Sequence, residues 1–68
     1  MSVLKVIELL GNSSESFEDA VKNVIDEASK LVKNIKSVYL KDMQVKVDNN
    51  EISEYRVNAK VSFGIMEE

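Results

Sequence analysis

The stretch Tyr55-Arg56-Val57-Asn58-Ala59-Lys60-Val61-Ser62-Phe63-Gly64-Ile65 alternates side-chain character at every second residue. Tyr55, Val57, Ala59, Val61, Phe63 and Ile65 fall on one side of an extended chain, and Arg56, Asn58, Lys60 and Ser62 on the other, continuing from Glu54. A period of two predicts a β-strand with one face against a core and the other wet or shared with a partner. Just before it, Asp48-Asn49-Asn50-Glu51 supplies the residue types of a tight turn, so a second strand is expected to run back antiparallel.

That second strand starts at Ser37, with Tyr39, Met43, Val45 and Val47 sharing a parity that only Lys41 breaks. Its parity places Tyr39 on the side that faces the core. Pairing odd residues with odd residues across the turn requires an odd-numbered loop, such as three residues ending in a left-handed Asn. A two-residue loop would set Tyr55 opposite Gln44 unless a bulge restored the phase.

Further upstream the period lengthens. Phe17, Ala20, Val21, Val24, Ile25, Ala28, Leu31, Val32 and Ile35 recur at steps of three and four, which gathers them onto one stripe of a helix. Ser14 is the expected cap, Glu15, Glu18 and Asp19 sit at the positive end, and Lys30, Lys33 and Lys36 at the negative end. About 20 residues at roughly 1.5 Å each predict a helix of about 30 Å. In front of it, Val3 to Leu10 has only Lys5 and Glu8 as polar residues and ends at Gly11-Asn12-Ser13, a loop-like cluster. This is a strand apolar on both sides, as expected where both faces are covered or where a neighbouring subunit buries it. The order is β-α-β-β in a single α+β domain over residues 1–68, with the three-stranded antiparallel sheet curled around one helix.

A chain of 68 residues leaves much of its apolar surface uncovered if it folds alone, and with no Cys and no His it has neither disulfides nor the common zinc ligand sets. The third strand, about 14 residues or roughly 46 Å long, outruns a helix only about 10–12 Å across. Two unpaired sheet edges add a second liability. A closed symmetric homo-oligomer removes both. The net charge of −3 gives no electrostatic footprint for nucleic acid or an anionic membrane surface. The run Ser2 to Leu10 has neither the basic start nor the cleavage site of a signal peptide. A soluble, cytoplasmic protein is expected.

Three strings together resemble one family: Val3-Leu4-Lys5-Val6-Ile7-Glu8, Gly11-Asn12-Ser13-Ser14-Glu15-Ser16-Phe17, and Tyr55-Arg56-Val57-Asn58-Ala59-Lys60-Val61-Ser62-Phe63. Across nearly its whole length the chain resembles the dodecins. The resemblance implies a hollow homo-dodecamer and the storage of flavin, riboflavin or FMN, as stacked pairs between two-fold-related subunits. It also implies a stacking aromatic, usually Trp, at the position of Ser37, and a polar contact, usually Gln, at Arg56. A serine stacks on nothing, and aromatic stacking on a nucleobase contributes roughly 1–3 kcal/mol, so flavin affinity is expected to fall. A guanidinium only donates, whereas an amide both donates and accepts. Arg56 instead could attract a phosphate or pair with Asp42 or Glu54. Tyr39, two residues after Ser37, is the candidate to replace the lost aromatic, but its parity turns it towards the helix and away from that role.

Dodecins that lack the aromatic and carry Arg in the third strand are described as calcium-associated, and the sequence is similar to that branch. Calcium takes several oxygen ligands. Asp48 and Glu51 are the candidate metal ligands, among Asp42, Asn49, Asn50 and Glu54 near the hairpin, although Asp48-Asn49-Asn50 is no EF-hand loop. Enzyme chemistry finds little support. Ser13, Ser14 and Ser16 have no His as base, Asp26 and Glu27 lie on a polar helix face, Gly11 makes no phosphate loop, and Met43 and Met66 are packing residues. The expected function is non-catalytic sequestration of a small molecule, with a calcium-associated shell or a partner-docking oligomer as the alternatives.

Overall fold

The computed structural model describes residues 3–65; Ser2 and Met66 lie outside them. The elements run β1 (Leu4–Ser13), α1 (Phe17–Leu31), β2 (Ile35–Asp48) and β3 (Glu51–Gly64). They form an open three-stranded antiparallel sheet in the order β1-β3-β2 with α1 on one face. The expected β-α-β-β order holds, and β3, with the clearest alternation, is the central strand.

The core is thin. Val57, Ala59, Val61 and Phe63 point from β3 towards Ala20, Val24 and Ala28 of α1, with Ile7, Leu9, Ile35, Val38 and Leu40 packed around them. Val57 and Val61, fully buried, each contribute on the order of 1.5–3 kcal/mol. Small residues set the spacing: a Cβ built on Gly11 would stand 2.9 Å from the carbonyl oxygen of Ala20 and collide with Val24. A glycine stands inside this strand because the helix crosses it too closely for any side chain.

β1 runs three residues beyond Leu10, through the whole of the loop expected at Gly11-Asn12-Ser13, since Ser13 still pairs with Tyr55. The helix consequently starts later. Its cap is Ser16, not Ser14: the Ser16 Oγ accepts from the Asp19 N–H at 2.9 Å. Ser13, buried, organises the turn by accepting from the Glu15 N–H at 2.8 Å and donating to Asp19 Oδ2 at 2.7 Å. The far end also differs from the periodicity. Val32 is the extended C-cap and Ile35 opens β2, so α1 has 15 residues and measures about 22 Å instead of about 30 Å. Lys33 and Lys36 lie past the helix, leaving Lys30 in its last turn.

The hairpin is the two-residue alternative, not the three-residue loop. Asn49 and Asn50 both adopt left-handed backbone, φ 52° and 64°, which Asn tolerates better than most residues. Asp48 pairs with Glu51 and Val47 with Ile52, and then Lys46 pairs with Glu54. Ser53 is the extra residue that returns Val45 to Tyr55 and Met43 to Val57, its Oγ donating to the Lys46 carbonyl at 3.2 Å. Phe17 closes the core over Tyr55, the rings meeting edge-on with centroids 5.1 Å apart. Beyond that contact the hairpin continues along a body 52 Å long, and Met43, Val45, Val47 and Ile52 are exposed.

Gly11→Ala is expected to lower the chemical-denaturation midpoint by an amount corresponding to about 1–3 kcal/mol, because the new methyl meets backbone that cannot rotate away. An unchanged midpoint would mean that α1 can lift off β1 freely.

Candidate ligand-binding face

The face of the sheet away from α1 is built in rows by the register. Val6, Ser62 and Ser37 form the first; Glu8, Lys60 and Tyr39 the second; Leu10, Asn58 and Asp42 the third; Asn12, Arg56 and Gln44 the fourth. Leu4, Val6 and Leu10 are exposed on this face, Leu10 to 80 %. The strand that reads as apolar on both sides therefore has only one side covered within the chain. Lys41 Nζ reaches across to Glu8 Oε2 at 3.8 Å, an exposed pair that contributes little on its own.

Tyr39 is here, contrary to its parity. β2 shifts register twice, between Ile35 and Ser37 and between Leu40 and Asp42, and each extra residue inverts which side chains face the helix. Val38 and Leu40 pack on the core, while Tyr39 stands opposite Lys60 and is 65 % exposed. Lys41, the residue that interrupts the alternation in sequence, is the one inserted at the second shift. Ser37 and Tyr39 thus share a face with Arg56.

They are not one cluster. Ser37 pairs with Ser62 and Tyr39 with Lys60, six and four residues along β3 from Arg56. At about 3.3 Å per residue the separations are roughly 20 Å and 13 Å. Arg56 is also engaged, its Nε donating to Glu54 Oε1 at 2.7 Å, which selects Glu54 over Asp42 as its partner. Between the rows runs an open trough of about 500 Å³ lined on this face by Leu10, Asn12, Asp42, Gln44, Arg56 and Asn58. Asn58, which alternation alone assigns to the wet side, has an Oδ1 that is buried and without a hydrogen-bond partner.

The metal candidates are elsewhere. Asp48 and Glu51 face each other across the base of the Asn49-Asn50 turn, both exposed. Among the described residues, no group of three or more His, Cys, Asp or Glu side chains is placed to hold a metal ion. Two carboxylates offer at most about four of the six to eight oxygens that calcium takes. Among the described residues, no helix is long and apolar enough to cross a membrane.

The order of strands and the helix on one face are matched by known proteins. Residues 3–66 match the dodecin family as a whole. The chain belongs to the dodecin family. It is 33% identical over 63 residues to a protein of Mycobacterium tuberculosis named calcium dodecin, covering 93% of this chain and 89% of that one. The crystal structure of that calcium-chelating dodecin superposes with a TM-score of 0.78, covering 91% of this chain and 89% of that one. A mutant of the T. thermophilus dodecin, 27% identical, superposes with a TM-score of 0.90 over 98% of this chain and 100% of that one. The family resemblance read from the three strings is therefore correct, and its members are small binding proteins.

Because Glu54 and Arg56 are neighbours on one strand face and both reach solvent, Glu54→Ala is expected to change unfolding free energy by less than about 1 kcal/mol. Thermal denaturation of the two proteins side by side measures it; a larger loss would give the pair a structural role.

Proposed function

We propose that the chain is a non-catalytic subunit of a hollow homo-dodecamer, acting in the cytoplasm, that sequesters a flavin, riboflavin or FMN, on the sheet face opposite α1. The observation that carries this reading is the exposed Tyr39 on that face, in the strand segment where Ser37 lacks a ring. A ring needs stacking from above and below, and Tyr39 supplies one flat surface in each subunit. Arg56 lies roughly 13 Å further along the same chain, so contacts from both ends of the face converge on one ligand only when two subunits meet. Assembly is thus the condition for the site.

Apolar surface supports the assembly from both sides of the sheet. Leu4, Val6 and Leu10 are uncovered on the outer face, and Met43, Val45, Val47 and Ile52 on the helix face past Phe17. Burial of such surface is favourable at about 25 cal/mol per Å², and a shell of like subunits is the arrangement that covers both without leaving an open sheet edge. No catalysis is assigned, since the chain has no His or Cys and the trough gathers amides, one Arg and one Asp rather than a nucleophile with its base.

A second reading, a calcium-associated shell, is favoured by the 33% identity to the calcium dodecin. Asp48 and Glu51 would then supply two carboxylates from one chain, with the remaining oxygens coming from adjoining hairpins. Titration calorimetry with calcium separates the readings: binding that vanishes in Asp48→Asn with Glu51→Gln favours calcium.

Native mass spectrometry is expected to give a particle of twelve chains. In that particle, quenching of riboflavin or FMN fluorescence is expected to weaken about tenfold or more in Tyr39→Ala, and to strengthen by a similar factor in Ser37→Trp. A monomer, or a twelve-chain particle that leaves flavin fluorescence unchanged at every concentration, would overturn the proposal.

A further inference from the structure

Asn58 sits at the centre of the outer face, on the central strand, between Leu10 of β1 and Asp42 of β2. Its Oδ1 is shut off from solvent and accepts no hydrogen bond. A buried carbonyl-type oxygen left in that condition costs about 1–3 kcal/mol, so it is a position where something supplies a donor. The chain's own neighbours do not. Its cross-strand partners offer none, since Leu10 has no side-chain donor and Asp42 is an acceptor when ionised, and the donors one row away on Asn12, Gln44 and Arg56 make no hydrogen bond to it. The amide is only half-buried as a whole and lines the trough of about 500 Å³, and the terminal torsion of Asn is broad, so a small turn presents the oxygen and the NH₂ to the trough together.

We infer that Asn58 is the specificity-determining polar contact of this face, reading the edge of a flat heteroaromatic ligand on which a ring N–H lies beside a carbonyl. An amide donates and accepts from adjacent atoms, so it pairs with such an edge through two hydrogen bonds, which the guanidinium of Arg56 cannot do because it has no acceptor. Position agrees with chemistry. Asn58 is two residues from Lys60, whose cross-strand partner is Tyr39, which places the amide roughly 7 Å from the row of the stacking ring along the same face. Leu10, 80 % exposed beside it, gives the ligand an apolar wall that shields those hydrogen bonds from water. Arg56 is then a residue at the rim of the trough, held by Glu54, and Asn58 the one that selects.

This inference rests on the flavin reading, and the test keeps the two apart by comparing riboflavin with N3-methylriboflavin, whose ring edge has lost its N–H. The intact wild-type particle is expected to bind the methylated compound at least about tenfold more weakly, because a site built to hydrogen-bond an N–H rejects the analogue lacking it. Asn58→Val is expected to keep the twelve-chain mass and the melting temperature, or raise the latter, since it removes an unsatisfied polar atom from a strand. It is also expected to bind riboflavin about tenfold more weakly and to lose the discrimination against the methylated ring. Equal wild-type binding of the two compounds overturns the assignment of Asn58 and leaves the flavin reading standing. Binding of neither overturns both. A particle that dissociates on Asn58→Val gives the amide to a neighbouring subunit and overturns the ligand assignment, as does a variant that still discriminates.

Discussion

The close crossing of α1 over β1 and β3 is the constraint from which the rest of the molecule follows. Gly11 on the strand and Ala20, Ala28 and Ala59 around it bring helix and sheet together with little between them. Close packing of this sort is efficient per atom but buries few large side chains; Val57 and Val61 are the largest that are fully enclosed. A 15-residue helix on 14-residue strands then leaves the hairpin half of the sheet with its apolar side open. Widening the core would demand larger residues at Gly11 and Ala59, which would push the helix outward without lengthening it. The small core and the uncovered overhang are consequences of one geometry.

The second determinant is where β2 takes in extra residues. In a strand every single-residue insertion exchanges the two faces, so the shifts at Ile35/Ser37 and Leu40/Asp42 decide which side chains meet a ligand and which meet the helix. Without the second shift, Met43 and Val45 would lie on the outer face with Tyr39, and the helix side of the hairpin would carry Gln44 and Asp42. With it, Val38 and Leu40 pack on the core, and Met43 and Val45 turn to the same face further along, where they stay exposed. Tyr39 is released to the opposite face as a result.

Much of this was legible in residues whose environment is uniform along the element. β3 has one face buried along most of its length, so its alternation names the core residues Val57, Ala59, Val61 and Phe63 directly. The helix stripe likewise identifies Ala20, Val24 and Ala28. What sequence pattern did not resolve are the positions where tertiary pairing overrides it. Ser14 and Ser16 are equally good caps by residue type, and the choice is made by the pairing of Ser13 with Tyr55, which holds the strand longer. Val32 and Ile35 keep the helical period but belong to the exit and to β2, because apolar residues at that spacing suit either element. Parity at the hairpin requires either an odd loop or a bulge, and the left-handed pair Asn49-Asn50 admits the two-residue turn with Ser53 as the bulge. Tyr39 was misplaced for a related reason, since the interruption at Lys41 was visible but its meaning, an inserted residue, is set by the partner strand. Asn58 carries no signal at all in sequence, where one polar residue on a wet face looks like any other.

A site that exists only between subunits has a thermodynamic corollary. On the reading proposed, neither Tyr39 nor the trough encloses a ligand within one chain: the trough is open, and a ring stacked on Tyr39 alone would keep its other face in water. Affinity then belongs to the assembled state, and any ligand that binds it stabilises that state by an amount that grows as the logarithm of the free ligand concentration. The coupling is reciprocal, so loosening the shell weakens the ligand by the same free energy. Substitutions at the uncovered hairpin residues Val45, Val47 and Ile52, which do not line the trough, would act on ligand affinity through assembly. Substitutions at Asn58 would act on it through the ring edge. These two routes leave different signatures, because only the first depends on protein concentration, and that dependence is what distinguishes a wall of the container from the group that recognises its contents.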